Sequence, residues 1–350
     1  MAYTTINKPT DHFDTLTYTG DGSTNQEVNG LNFTPSYIWI KGRDTAAPHT
    51  NIDSVRGGNK WLKSNETAAE ETDPIYGWID SFDSDGFTTQ IGSHADPWNV
   101  NKSGETYVAW NWKANGAGSA NTDGSQSATV SVNTTAGFSI VKFVNVTTAT
   151  TNTFGHGLSV PQVIIMRSLD SAYNWDVYHH KIAISKRLIL NSTSAESSST
   201  YMNSTSPTSS VFTVKSDEFA NNDNCIAYCF AEKQGYSKFG SYTGNGNADD
   251  GTFVYTGFKV GWLMIKKISG TSNWTIWDSV RQSNEINKPL WADLNSVEAA
   301  QSTVKLDLLS NGFKIRGNGS NVGSSGGSYI YMAFAEAPLV GSNNVPCTAR

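Results

Sequence analysis

Two tryptophans, an aspartate and an arginine lie close together in residues 273–281, and side chains of these types can bind a sugar. Trp274, Trp277, Asp278 and Arg281 follow one another there at short spacing. The faces of pyranose rings stack on indole rings, and sugar hydroxyls need paired hydrogen-bond donors and acceptors. The stretch therefore predicts an aromatic and acidic sugar platform.

A structural role explains the same residues, because the pattern recurs along the chain. Residues 51–56 repeat the Asp-Ser-Val-Arg part of the stretch, and residues 174–179 repeat its Asn-Trp part. A pattern that every repeat carries is needed for the fold of the repeat, so we favour aromatics in the core and an Asp/Arg pair that joins a strand to a loop. The ligand-binding candidates are Trp175, Trp274, Trp277 and Asp278.

Oxygen-rich loops offer a second chemistry, the binding of calcium. The residues concerned are Asp21, Gly22, Asn245, Asn247, Asp249 and Asp250. Calcium needs carboxylate and carbonyl oxygens, but neither loop has the D-x-D-x-D-G spacing with a downstream glutamate. Ordinary turn chemistry accounts for these residues. We predict no cofactor and no metal, and calcium binding by a loop stays an open alternative.

Catalytic arrangements are weakly represented. His179 and His180 are adjacent, and neighbours on a strand point in opposite directions, so the pair is poorly placed to chelate one ion. Asp80, Asp83 and Asp85 form the densest acidic cluster, but they flank a predicted hairpin. No Ser/His/Asp grouping has the sequence context of a nucleophile elbow. We expect no enzyme, although the two carboxylates of a glycosidase can lie far apart along a chain.

Composition and charge argue against nucleic-acid and membrane partners. The net charge is −6 and no basic run occurs, so there is no electrostatic footprint for a phosphate backbone. No apolar run approaches the roughly 18 residues that span a bilayer, and residues 1–14 lack a signal-peptide core. We therefore expect synthesis in a cytoplasm without membrane insertion.

The cysteines predict no disulfide and no zinc site. Cys225 and Cys229 are four positions apart in a predicted strand, a separation of roughly 13 Å that is too long for a disulfide. Cys347 adds no paired CxxC motif. We expect all three thiols to be reduced.

Short strands recur in the same order three times. Apolar strands at residues 37–41, 163–167 and 262–266 each precede a copy of the pattern at 273–281, and matching positions in the first and third copies stay about 225 residues apart. Hydrophobic residues are only 37% of the chain, yet 11 Trp, 14 Tyr and 15 Phe demand burial. This balance is typical of many short strands with polar outer faces.

We predict an all-β fold of three tandem antiparallel β-sandwich, jelly-roll-like repeats of about 100 residues each. A helical turn or two is indicated only at residues 296–301. The predicted segments are an N-terminal lead at 1–12, unit 1 at 13–114, a flexible Gly/Ser linker at 115–127, unit 2 at 128–234, unit 3 at 235–337 and a C-terminal tail at 338–350.

Over about residues 13–350 the chain resembles a known group of repeat domains, and the clearest motifs lie in unit 2 and at its junction with unit 3. The residues that carry the resemblance are Gly137-Phe138-Ser139-Ile140-Val141-Lys142, Gly155-His156-Gly157-Leu158, Trp175-Asp176-Val177-Tyr178-His179 and Gly240-Ser241-Tyr242-Thr243-Gly244-Asn245-Gly246. They are similar to tandem repeat domains of uncharacterised function in structural proteins of tailed bacteriophages, particularly aquatic ones. Unit 1 departs most, since His49-Thr50-Asn51-Ile52 stands where the other units carry Asn-Trp.

The resemblance implies a virion component that is assembled in the host cytoplasm, and it brings no catalytic residues. Three functions follow as expectations. The first is a tail-fibre or receptor-binding-type component, a homo-oligomer whose loops contact a host surface glycan or receptor. The second is a capsid decoration, head-fibre or tail adaptor protein that binds only other virion proteins. The third is a glycan depolymerase.

Overall fold

Antiparallel β-strands provide nearly all of the regular structure. The computed structural model describes residues 3–72, 74–148, 151–342 and 346. Within these residues the strands pair antiparallel, and the helical segments are two 3-10 turns, Pro9–Asp11 and Pro74–Tyr76. The predicted all-β fold class is confirmed.

The strands fall into three groups along the chain. Those of unit 1 are β1 (Phe13–Thr19), β2 (Thr24–Asn29), β3 (Tyr37–Gly42), β4 (Thr50–Asp53), β5 (Lys60–Trp61), β6 (Glu71–Thr72), β7 (Trp78–Asp83), β8 (Gly86–Gln90) and β9 (Thr106–Trp112). The next are β10 (Ser119–Asn121), β11 (Ala128–Asn133), β12 (Phe138–Val144), β13 (Thr151–Gly155), β14 (Val163–Ser168), β15 (Asp176–His179), β16 (Lys186–Ile189), β17 (Ser197–Ser198), β18 (Val211–Lys215) and β19 (Asn224–Phe230). Those of unit 3 are β20 (Ser237–Thr243), β21 (Phe253–Tyr255), β22 (Phe258–Lys267), β23 (Thr275–Asp278), β24 (Leu290–Trp291), β25 (Leu306–Leu309), β26 (Gly312–Ile315) and β27 (Ser328–Pro338).

Each group contains a main sheet with the same strand order. The orders are β1-β9-β3-β4, β12-β19-β14-β15 and β20-β27-β22-β23, with further edge strands in the second and third sheets. The last long strand of each group lies in the middle, between the first strand and the central apolar strand. Trp112 on β9, Phe230 on β19 and Phe334 on β27 occupy the same register position.

One face of each main sheet packs on a smaller sheet of the same group, which makes a sandwich. The smaller sheets have the orders β2-β8-β7, β13-β18 and β21-β26-β25. Three separate apolar clusters fill these sandwiches, and Phe87, Phe212 and Phe313 lie at their centres with no exposed surface. Burial of this apolar surface is the main force that holds each sandwich together.

The other faces of the three main sheets meet in a single central cluster. The ring centroids of Trp112, Phe230 and Phe334 lie between 5.7 and 6.4 Å from one another, so the three equivalent aromatics form a triangle. Strands β3 and β14 are buried at every residue because both of their faces are covered. The three sandwiches thus surround a shared core with approximate threefold symmetry.

Two local predictions are wrong. Residues 115–127 are not a structureless linker, because β10 pairs with the otherwise free edge of β11, and Gly118 at φ +77 lies against the Val130 backbone. Residues 296–301 form no helix, because the Glu298 amide donates to the carbonyl of Arg43 instead of to its own segment.

Residue 7, near the start of the described residues, contacts residue 342, near their end. Ile6 of the predicted lead is buried in the central cluster, and Asn7 exchanges two hydrogen bonds with Ser342. Cys225 and Cys229 are buried free thiols, as predicted. Cys347 lies outside the described residues.

Candidate functional site

The four predicted ligand-binding residues are buried, which corrects the sugar-platform hypothesis. Trp175, Trp274, Trp277 and Asp278 are 1%, 2%, 0% and 1% exposed. A pyranose ring cannot stack on an indole that solvent does not reach. Trp277 packs inside the third sandwich, whereas Trp175 and Trp274 belong to the shared central cluster. The structure therefore gives these side chains the scaffold role that the recurrence of the pattern favoured.

The strand pairings define which signature residues are equivalent. Asp53 pairs with the first residue of β3, His179 with the first residue of β14, and Asp278 with Trp262 of β22. We call the position of Asp53, His179 and Asp278 the carboxylate position, because two of the three units have an aspartate there. The residues four places earlier are His49, Trp175 and Trp274, and we call them the indole position. Unit 1 thus carries histidine where the other two units carry tryptophan.

Side chains at the indole position hydrogen-bond from each sandwich to the next. The Nε1 of Trp274 donates to the carbonyl of Ile189 (2.9 Å), the Nε1 of Trp175 to the carbonyl of Lys63 (2.8 Å), and the Nε2 of His49 lies 2.9 Å from the carbonyl of Trp291. These contacts run from unit 3 to unit 2, from unit 2 to unit 1, and from unit 1 back to unit 3. The ring of sandwiches is therefore closed.

The His49 tautomer follows from its two partners. The indole Nε1 of Trp39 donates to Nδ1 of His49 at 2.8 Å, so that nitrogen has no proton. The proton is on Nε2, which donates to the Trp291 carbonyl. Burial lowers the pKa of His49 well below its ordinary value, and Lys41 lowers it further. A neutral histidine thus reproduces the single donor of an indole.

A second ring of contacts uses the carboxylate position. The hydroxyl of Tyr228 donates to Asp53 at 2.8 Å, and the indole of Trp110 donates to Asp278 at 3.0 Å. Trp110 and Tyr228 share a register position with Met332, which has no donor to offer. At the interface between units 2 and 3 the donor and the acceptor are exchanged. The residue at the carboxylate position is His179, and its Nε2 donates to the Tyr331 carbonyl at 3.2 Å.

Buried arginines hold the carboxylates in two of the three units. Arg56 contacts Asp53 at 2.5 Å and Glu70 at 3.0 Å. Arg281 contacts Asp278 at 2.6 Å and Glu298 at 3.0 Å. The equivalent of both arginines in unit 2 is Ile182, which packs in the central cluster. Removing one partner of a buried ion pair leaves the other charge uncompensated and destabilises the fold.

Loop backbones form a third ring in the opposite direction. The amide of Glu70 donates to the Leu169 carbonyl (2.7 Å), the amide of Glu196 to the Ile268 carbonyl (3.2 Å), and the amide of Glu298 to the Arg43 carbonyl (2.8 Å). The side chain of Arg43 in unit 1 also contacts Glu298 of unit 3 at 2.6 Å. Burial alone would raise the pKa of Glu298, but Arg43 and Arg281 outweigh it and hold that pKa below its usual value.

A family model described as a domain of unknown function, DUF7483, matches residues 8–338. This chain belongs to the DUF7483 family. The match covers the strands of all three sandwiches, in agreement with their shared core. No curated protein matches the chain. In the described part of this DUF7483 chain, no helix is long and apolar enough to cross a membrane.

Three buried cations lie at equivalent positions of the DUF7483 chain, at the edges of the rings. Lys266 donates to the Thr193 carbonyl of unit 2 at 2.9 Å, and Arg167 donates to the Thr67 carbonyl of unit 1 at 3.0 Å. Their equivalent in unit 1 is Lys41, which binds carbonyls of its own loop. Burial lowers the pKa of both Lys41 and Lys266 to about 8.

Side-chain oxygens of the oxygen-rich loops accept hydrogen bonds from backbone amides of the same loops. Asp21 accepts from the Ser23 amide at 2.7 Å, and Asn247 accepts from the amides of Asp249 and Asp250. The Asp250 carboxylate pairs with Lys314. Among the described residues, no group of three or more His, Cys, Asp or Glu side chains is arranged to hold a metal ion.

The remaining candidates are also part of the scaffold. His179 and His180 contact the carbonyls of Tyr331 and Phe239 separately. Asp83 ends β7 and accepts from the hydroxyls of Ser81 and Thr88, so it belongs to the predicted hairpin.

Proposed function

We propose that this chain is a structural protein of a tailed-bacteriophage particle, assembled in the host cytoplasm, and that it serves as a tail-fibre or receptor-binding-type component. The observation that carries the proposal is the closed ring of three sandwiches. A ring with a shared core is a rigid body, and a rigid body can present loops in fixed positions. The resemblance of about residues 13–350 to phage repeat domains supports the same function.

The recurrent aromatic and charged side chains support a display role. Trp175, Trp274 and Asp278 hold one sandwich against the next, so they leave turns and edge strands to meet partners. Edge strands and turns are where proteins of this architecture carry recognition. Partners are then other virion proteins and a host surface glycan or receptor.

One observation favours a second function, that of a capsid decoration, head-fibre or tail adaptor protein. The triangle of Trp112, Phe230 and Phe334 lies on an approximate threefold axis within a single chain. A body of that symmetry can sit on a threefold site of a larger assembly and bind three equivalent partners. In this function the outer surface of the three sandwiches contacts only virion proteins.

If the chain forms the expected homo-oligomer, its copies should associate through the outer surface of the sandwiches. Contacts that would join three separate sandwiches into a trimer are already made inside one chain, through the rings at the indole and carboxylate positions. Any association between copies must therefore use the outer surface. Light scattering of the purified chain measures its mass directly.

The test of the proposed function is the location of the chain in particles. Mass spectrometry of gradient-purified virions and gold labelling with an antibody should find it on the tail. Label confined to the capsid shell would favour the decoration function, and absence from purified particles would overturn both. Shortening of host polysaccharide by the purified chain would instead support a depolymerase.

A further inference from the structure

Two large aromatic side chains lie exposed on one edge strand of unit 3. Phe253 and Tyr255 on β21 are 44% and 53% exposed, while Val254 between them is buried. Alternation places both rings on the same outer face, roughly 7 Å apart along the strand. In the sheet order β21-β26-β25, β21 is at the edge. Exposed aromatics at such an edge favour association, so they call for a binding partner.

The exposed pair is peculiar to unit 3. Val254 pairs with Phe313 as Val28 pairs with Phe87 and as Phe154 pairs with Phe212. The positions of Phe253 and Tyr255 are therefore held by Glu27 and Asn29 in unit 1, and by Thr153 and Gly155 in unit 2. Two sandwiches of the same design fold with polar or small residues at these places. The aromatic pair is thus not required by the fold.

A polar cleft adjoins Tyr255 at the junction of three segments of the chain. It has a volume of about 470 Å³ and is lined by Tyr3 from the N-terminal lead, by Glu232 and Gln234 from the end of unit 2, and by Lys238 and Tyr255 from unit 3. The hydroxyl of Tyr3 donates to the carbonyl of Gly257 at 2.7 Å. A side chain at Gly257 would collide with that hydroxyl, so the glycine allows the lead to close the cleft.

The charges in the cleft balance each other. Lys238 and Glu232 form an ion pair at 2.8 Å, and both side chains keep part of their surface in solvent. Gln234 adds an exposed amide, which both donates and accepts. Burial and the neighbouring phenol of Tyr255 raise the pKa of Tyr3 to about 12, so this hydroxyl is uncharged at neutral pH. The cleft therefore offers paired donors and acceptors without a net charge to attract a polyion.

We propose that Tyr255 and Phe253, with Glu232, Gln234 and Lys238, bind an uncharged oligosaccharide whose sugar rings stack along β21. Ring faces are apolar and sugar edges carry hydroxyls, which matches exposed phenyl faces beside balanced polar groups. This assignment rests on the proposed display function, because it names the host-surface ligand that unit 3 would meet.

The test uses the full-length chain and an array of bacterial capsular and O-polysaccharide oligosaccharides. Variants Phe253→Thr and Tyr255→Asn introduce residues that the other sandwiches carry at these positions, so the fold should survive. Val160→Asn is the matched control, since Val160 is 42% exposed and does not line the cleft. Circular dichroism and thermal unfolding should show all four proteins equally folded.

The wild type and Val160→Asn should bind at least one uncharged oligosaccharide, and each aromatic variant should bind it about tenfold more weakly, the loss of roughly one stacking contact. Equal binding by wild type and Tyr255→Asn would overturn the site. A wild type that binds no glycan, or one that only dimerises through β21, would overturn the glycan inference. Neither result bears on whether the chain is found in virions, which particle labelling decides separately.

Discussion

The indole nitrogen of Trp110 lies 3.0 Å from a carboxylate oxygen of Asp278, although 168 positions separate the two residues along the chain. Trp110 belongs to the last strand of unit 1 and Asp278 to the signature of unit 3. Their hydrogen bond joins the first sandwich to the third, and it is one of three such junctions around the shared core. Stability should accordingly depend on residues at each junction, whichever sandwich they belong to.

Trp274→Ala should destabilise the whole chain by about 3–5 kcal/mol, because it removes a buried aromatic from the central cluster. Denaturant unfolding followed by fluorescence and circular dichroism measures the change. Trp274→Phe is the matched control, since it keeps most of the packing and loses the donor to Ile189, at a smaller cost of about 1–3 kcal/mol. If Trp274→Ala were as stable as the wild type, the residue would not be part of the core.

Asp278→Ala should cost about 3–5 kcal/mol, because it leaves the buried charge of Arg281 with one carboxylate fewer. Asp217→Ala provides the comparison, since its pair with Lys215 is exposed to solvent and should contribute much less to stability. Chemical unfolding of both variants gives the two values. Equal losses would show that Asp278 is solvated and does not hold the junction.

His179→Gln should reduce the acid sensitivity of the chain. Burial, followed by the neighbouring His180, lowers the pKa of His179 from 6.5 to about 3, so the folded state resists its protonation. The stability that neutral His179 contributes is complete above its unfolded pKa and is lost as the pH falls from 6.5 towards 3. Glutamine does not titrate, and its amide can still donate to the Tyr331 carbonyl. The free energy of unfolding should fall less steeply for the variant over this range, and parallel curves would contradict the assignment.

Asp176→Asn should have the opposite pH signature. Burial and then the adjacent Glu218 raise the pKa of Asp176 well above its ordinary value of 3.8. Its contribution is therefore complete below that value and is lost as the pH rises through the folded-state pKa. Arg187 pairs with Asp176 at 3.2 Å and with Glu218 at 3.0 Å, so in the variant it retains Glu218 as a partner. Between about pH 4 and pH 8, the unfolding temperature of the variant should rise relative to that of the wild type as the pH increases. A difference in unfolding temperature that does not change with pH would contradict the prediction.

Much of the fold could be predicted because local patterns recur. The apolar strands, the hairpin after Asp83 and the equivalence of residues 51–56 with residues 273–281 each depend on neighbours in sequence. Local patterns do not predict β10, whose residues are small and polar but which pairs with the free edge of β11. They also do not predict the structure of residues 296–301, where a contact with Arg43 replaces the helical hydrogen bonds. Edge pairing and contacts between distant segments leave no periodic pattern in the sequence.

The role of the candidate site could be predicted only in part. Recurrence indicated a scaffold role for Trp274 and Asp278, but their partners Ile189 and Trp110 lie in other units. The sequence does indicate contact between units. A continuous apolar strand such as β3 must be covered on both faces, and a single small sandwich covers only one face of its main sheet. The sequence shows that His49-Thr50-Asn51-Ile52 stands where the other units carry Asn-Trp, but the strand register and the contact with Trp291 were needed to show that His49 takes the role of an indole donor.

Hydrogen exchange measured by mass spectrometry on the intact chain tests the shared core most directly. Peptides that cover β9, β19 and β27 carry Trp112, Phe230 and Phe334, which contact one another. If the three sandwiches unfold as one body, the slowest amides of all three strands should open together with one common free energy. Three different opening free energies, with one strand exchanging while the other two stay protected, would contradict a shared core.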